Sequence, residues 1–173
     1  GAYGLTGALY PDQAALVEGL WTGTIKWNDA KALEMWQKME IYTQDMMESG
    51  ASGIAGDAAP GRFASGAVAM FPGGTWYASA IEAAQPSFKW GYIPFPGSDK
   101  ADDNKYLFGK YDQGWAVAAK TPSKDAAMKY LAEFSDPANY QEFANKVGFI
   151  PTQAGAKLET QLGTEVAPYL ANF

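Results

Sequence analysis

Three near-continuous apolar runs of strand length, at residues 67–71, 88–93 and 113–119, interrupt a chain otherwise patterned for helices. A run apolar at every position fits a strand buried on both faces, as in a parallel sheet. The three are expected to lie adjacent in one sheet. Residues 3–9 read as a further short strand, and Tyr10-Pro11-Asp12 as a turn into a helix at 11–21. After a connector at 21–27 that carries two tryptophans, Asn28 or Asp29 caps a long helix that runs to Glu48 and stops at Gly50. Its stripe of Ala32, Trp36, Met39, Thr43, Met46 and Met47, with Glu40 at the edge, reads as the core-facing side of an amphipathic helix. Residues 51–59 form a loop of small residues.

Downstream the pattern continues. Gly66 ends a short helix, and Pro72-Gly73-Gly74 breaks the first apolar run into a tight turn. Thr75 is expected to cap a helix at 76–85, which Pro86 stops. Pro94-Phe95-Pro96 closes the second run, and 97–105 is polar loop. Thr121-Pro122 opens a helix in which Ala126, Ala127, Tyr130, Leu131 and Phe134 recur at helical spacing. Asp136-Pro137 opens another, with Tyr140, Phe143, Ala144 and Val147 on one face and Gly148 at its end. Residues 149–151 are extended, and two short helical pieces follow. Strands alternating with helices indicate an α/β chain whose mostly parallel sheet is flanked by helices.

The 173 residues suffice for one domain with a real core, and the 47% hydrophobic content fits a folded chain. A net charge of −6 argues against nucleic acid or an anionic membrane as partner. The chain has no His and no Cys, which removes imidazole bases, His-based triads, thiol catalysis, disulfides and most zinc sites. Asp99, Asp102, Asp103 and Asn104 lack the alternating acidic pattern and the glycine of a calcium loop, so they read as solvated. No metal or cofactor is expected. A chain that begins at Gly1, without an initiator Met or a charged-then-apolar leader, is expected to be a processed or excised piece.

The strand–turn–helix junction at 67–76 carries the first chemistry. A helix N-terminus offers free N–H groups, and in open α/β sheets ligands sit at that edge. There Phe63-x-x-Gly66-x-Val68-Ala69-Met70-x-x-x-Gly74-x-Trp76 resembles the signature of the family 1 extracellular solute-binding proteins, the sugar receptors of bacterial ABC importers. The likeness continues in order: Trp90-Gly91-Tyr92-Ile93-Pro94-Phe95-Pro96, the glycine-rich approach Gly109 to Trp115, the turn 119–124, the helix 125–134, and Gly148-Phe149-Ile150-Pro151.

The resemblance implies a type II periplasmic-binding-protein-like lobe. Family members are two-lobed, and residues 1–173 correspond to a single C-terminal-lobe-like domain. Residues 94–114 correspond to an excursion that joins the missing N-terminal lobe. That segment is expected to be mobile, refolded against its own lobe, or paired with another copy of the chain. Implied partners are a mono- or oligosaccharide in the interlobe cleft and the transmembrane subunits of an ABC permease. The implied location is periplasmic or extracellular, with the full-length parent membrane-anchored.

A neutral sugar needs flat aromatics for its C–H face and polar groups at its rim. Trp76 is the stacking candidate; the competing reading is a tryptophan packed in the core. Gly74 and Thr75 could offer N–H and hydroxyl donors. Tyr111, Asp112, Gln113 and Trp115 form a second candidate cluster, with Lys110 beside it; the competing reading is an ordinary charged turn. Tyr10, at the end of the first run, is a further candidate, whereas Trp21, Trp27, Trp36 and Trp90 read as structural. A glycoside hydrolase is the alternative class, but it needs two carboxylates facing each other across the scissile bond, and only Asp112 lies near the expected cleft. Binding without catalysis is therefore expected.

Overall fold

Helix α1 (Ala2–Leu9) opens the chain where a strand was expected. Leu5, Ala8 and Leu9 recur three and four residues apart, and all three are buried, a spacing that only a helix turns to one side. The computed structural model describes residues 2–109 and 114–172. The Asp12 side chain accepts from the Ala15 N–H at 2.9 Å and starts α2 (Gln13–Thr22), which ends at a left-handed Gly23. Helix α3 (Ala30–Ile41) then crosses α1, and Leu5, Leu9, Tyr10, Leu16 and Met35 form the first core, with Leu20, Ile25, Met39 and Phe95 around it.

The face of α3 that reaches this core carries Ala32 and Met35, whereas Trp36, Met46 and Met47 are exposed. Its continuation, Tyr42–Met46, is a π-helical turn, and each such turn adds a residue to the helical repeat. The expected stripe drifts out of phase there, and the helix ends at an extended Met47 before Glu48. The Glu48 carboxylate pairs with the Arg62 guanidinium across the loop.

No strand forms among the described residues. The expected sheet is therefore corrected: residues 67–71, 88–93 and 114–118 are extended or bent segments without ladder pairing. Met70, Ile93 and Trp115 are 70%, 65% and 58% exposed, so none of the runs is enclosed on both faces. An apolar run signals surface that needs cover, but a ladder also needs a neighbouring strand about 4.8 Å away. Here α5, which follows the first run, packs on α4 and α7 rather than over a sheet, and Val68 to Phe71, Phe88 to Ile93 and Trp115 line an open cleft instead.

Helices α4 (Ala59–Ala64) and α5 (Ala78–Ala83) pack together on one side of that cleft. Helices α6 (Lys124–Phe134) and α7 (Pro137–Val147) follow. Asp136 caps α7 through the Ala138 N–H at 2.9 Å, and Gly148 ends it at φ 80°, both where the sequence places them. Helix α8 (Gln161–Val166) is capped by Thr160, and Leu162 and Val166 join Ala78 and Leu107 in a second core, flanked by Trp90, Tyr92, Ile150 and Tyr169.

The described part of residues 94–114 packs on α1, α2 and α3. Phe95 sits against the bare α-carbon of Gly4 and edge-on to Tyr42 at 5.6 Å. Asn104 Oδ1 accepts from the Gly97 and Ser98 N–H groups at 2.8 and 2.9 Å, which folds the loop around its side chain. Lys38 donates to the Gly97 carbonyl, and Gln13 donates to the Leu107 carbonyl at 2.5 Å.

Candidate functional site

The open cleft measures about 2180 Å³ and is lined by residues 68–78, 88–99, 106–109 and 149–153, by residues of α6, α7 and α8, and at one end by residues of α1 and α3 such as Leu5 and Ile41. Most of its lining is apolar, and its most regular feature is a series of seven aromatic rings in mutual contact. Trp115 meets Phe134 at 5.0 Å, Phe134 meets Phe143 at 4.8 Å, and Phe143 meets Phe149 at 6.1 Å. Phe149 meets Trp76 at 6.4 Å, Trp76 meets Tyr77 at 5.7 Å, and Tyr77 meets Phe71 at 5.2 Å. All these contacts are tilted or edge-to-face, the arrangement that aromatic quadrupoles favour. The faces therefore point in different directions rather than stacking on one another.

Trp76 lies in the cleft wall and is 47% exposed. It sits in a 3₁₀ turn, Thr75–Tyr77, that leads into α5. Gly74 occupies the cap position in extended conformation, and the Thr75 side chain makes no capping hydrogen bond. The expected cap is thus corrected: the 3₁₀ start tightens the turn, and the Thr75 carbonyl, not its hydroxyl, takes the Ala78 N–H. Trp115 also lines the cleft, at the far end of the ring series. Lys110, Tyr111, Asp112 and Gln113 fall outside the described residues. Tyr10 is buried in the α1–α3 core with the Lys31 ammonium 4.8 Å from its ring centre, away from the cleft wall. Trp90 lines the cleft at half-burial, whereas Trp21 on α2 is 92% exposed and Trp27, in the connector, meets Trp36 of α3 at 6.0 Å, none of them in the cleft lining.

Sequence reasoning missed Phe134, Phe143 and Phe149 as cleft residues, because they recur at helical spacing or follow a helix end and so read as core. It also missed a polar edge on the same wall. The Tyr140 hydroxyl lies 3.2 Å from Thr152 Oγ1 and accepts from the Thr152 N–H at 3.1 Å. Gln153 donates to the Ser135 carbonyl at 2.8 Å, and its own Oε1 is enclosed without a donor.

Elsewhere in the lining the Glu165 carboxylate accepts from the Tyr92 N–H and from Gln161 Nε2, the latter at 3.1 Å. The bare α-carbon of Gly91 lets that carboxylate approach. Glu165 is thereby engaged in tethering α8 to the 88–93 segment. Among the described residues no cluster of three or more His, Cys, Asp or Glu could hold a metal.

Beside Glu165, burial and the neighbouring Tyr169 push the Tyr92 phenol up to about 12 from 10.0. A group raised in the folded state stabilises fully below its unfolded pKa and loses that contribution as pH rises through the folded value. The window is thus pH 10 to about 12. In a spectrophotometric titration Tyr92 should ionise after most other tyrosines, and Tyr92→Phe should remove this late step.

A family model for bacterial extracellular solute-binding proteins matches residues 4–167 of the chain. No curated protein and no solved structure gives a match.

Proposed function

Because the chain belongs to the bacterial extracellular solute-binding proteins, we propose that its cleft is one wall of a site that holds a mono- or oligosaccharide for delivery to an ABC permease. Membership assigns it an extracellular binding role in transport. The carbohydrate ligand rests on one observation: the ring series along the cleft, with Trp76 47% and Trp115 58% exposed. Sugars present flat C–H faces to such rings, and the hydroxyls of Tyr140 and Thr152 and the backbone of the Gly73-Gly74 turn supply polar groups nearby. Gly74, Thr75, Tyr111, Asp112, Gln113 and Trp115 complete the proposed site; the burial of Tyr10 in the helical core argues against it.

Size supports a second wall. Small-ligand sites enclose roughly 300–1,000 Å³, so a cleft of about 2180 Å³ has room for both a sugar and a facing piece of polypeptide. In this reading residues 1–173 form the C-terminal lobe, an N-terminal lobe faces the cleft, residues 94–114 join the two, and the parent is anchored to the membrane. A hydrolase is the second reading; it needs two carboxylates facing each other across the scissile bond, and Asp99 and Glu165 are the carboxylates of the cleft, the latter tied to the Tyr92 N–H and Gln161.

The reading is tested by calorimetry on the two-lobed receptor with glucose, maltotriose and cellobiose, and with amino acids as controls. One sugar should bind, and Trp76→Ala should weaken it by roughly 1–3 kcal/mol, by analogy with the loss of a stacked base from an aromatic ring. Binding confined to amino acids, or sugar affinity unchanged in Trp76→Ala, would refute it.

A further inference from the structure

Trp76 is held by two glycines whose missing side chains are the reason it can sit where it does. Gly74 has φ −85° and ψ 166°, a conformation open to any residue, so backbone freedom does not explain glycine there. Space does: a Cβ on Gly74 would overlap ring carbons Cη2 and Cζ3 of Trp76, because the indole folds back over the Gly74 α-carbon. Gly148 acts one step further out. It ends α7 in the left-handed region, and a Cβ there would stand 2.6 Å from the Thr75 carbonyl oxygen and 3.4 Å from its carbonyl carbon. The turn that carries Trp76 thus rests on the bare end of α7, and the next residue, Phe149, sets its ring 6.4 Å from the indole.

We propose that Gly74 and Gly148 are positioning residues that fix the Trp76 indole in one orientation, Gly74 as the floor beneath the ring and Gly148 as the seat of its turn. The consequence for binding rests on the reading of Trp76 given above. A ring already held in its working orientation loses little rotamer freedom when a ligand arrives, which reduces the entropic cost of association. The positioning itself is independent of any ligand.

The test uses the chain labelled with 5-fluorotryptophan and no ligand, with the Trp76 fluorine resonance assigned from its loss in Trp76→Phe. Gly74→Ala should shift that resonance, and so should Gly148→Ala. Gly23→Ala is the control: its φ of 76° carries the same left-handed strain, but a Cβ there meets nothing within 4 Å. It should lower stability about as much as the strain in Gly148→Ala alone and leave the Trp76 resonance in place. If Gly74→Ala fails to fold, a second comparison still decides. In a Trp76→Ala background the ring is gone, so adding Gly74→Ala should cause no further loss of stability.

A Trp76 resonance unmoved by both substitutions, or a Gly74→Ala loss equally large with and without the indole, would overturn the proposal. Neither outcome would touch the ligand reading, which falls if the two-lobed receptor binds amino acids and no sugar, or if sugar affinity survives Trp76→Ala.

Discussion

Gly163→Ala is expected to destabilise the chain by about 3 kcal/mol, at the upper end of what overpacking a core site causes. On propensity alone the sign would be opposite, since alanine is favoured over glycine inside a helix by roughly 1 kcal/mol. Geometry decides against propensity. Gly163 is buried in α8, and a Cβ there would overlap the Leu158 carbonyl oxygen and press on the Leu158 side chain. A backbone oxygen cannot swing aside as a side chain does. Either the 156–160 segment must lift or α8 must rotate, and α8 carries Leu162 and Val166 into the second core. The Glu165 tether to the 88–93 segment sits on the same helix, so the cleft wall should loosen with it. Urea unfolding of both proteins measures the difference; equal midpoints would show that α8 tolerates the shift.

Local signals in the sequence were legible because their causes lie within a few residues. Asp136 and Pro137 start α7, Gly148 ends it, and Gly66 follows α4 in left-handed conformation, all as the residue types require. The break in the apolar run at Pro72-Gly73-Gly74 was legible for the same reason, but the turn itself falls at Thr75–Tyr77, where a helix start capped by Thr75 was expected. The sheet was misjudged because pairing is non-local: an apolar run says that it needs cover, not which element supplies it. Residues 3–9 were misjudged through their small size, since Ala2, Gly4, Gly7 and Ala8 blur the period that Leu5 and Leu9 set. Phe134 and Phe143 were legible as members of apolar helix faces; in the structure both are half-buried and line the cleft. Only the seat of α7 against the Thr75–Tyr77 turn places their rings in line with Trp76. Met35, which the stripe on α3 omitted, reaches the core because the helix face is set by α1 rather than by the widest apolar arc.

The largest expected effect concerns the second wall. Presented with the sugar alone, this chain should bind at millimolar strength or weaker, whereas a receptor that closes on the same sugar from both sides binds at micromolar strength, a difference of about 4 kcal/mol. An open wall leaves the outward hydroxyls hydrated and covers one face of each sugar ring. The loss of translational and rotational freedom on association is nearly the same in both cases, so little surplus remains for one wall. The tilted rings along the cleft sharpen this expectation: Trp76 and Phe149 stand 57° apart, so one flat sugar face cannot lie against both. Clamp-like closure of a facing lobe would bring the missing contacts.

Titrating the 173-residue chain beside the same chain joined to the proposed N-terminal lobe, with the sugar that the joined protein binds best, tests this account most directly. A drop of about a thousandfold in the lone chain is the result predicted for one wall of a two-walled site. Equal affinities in the two proteins would contradict it and place the whole site within this cleft.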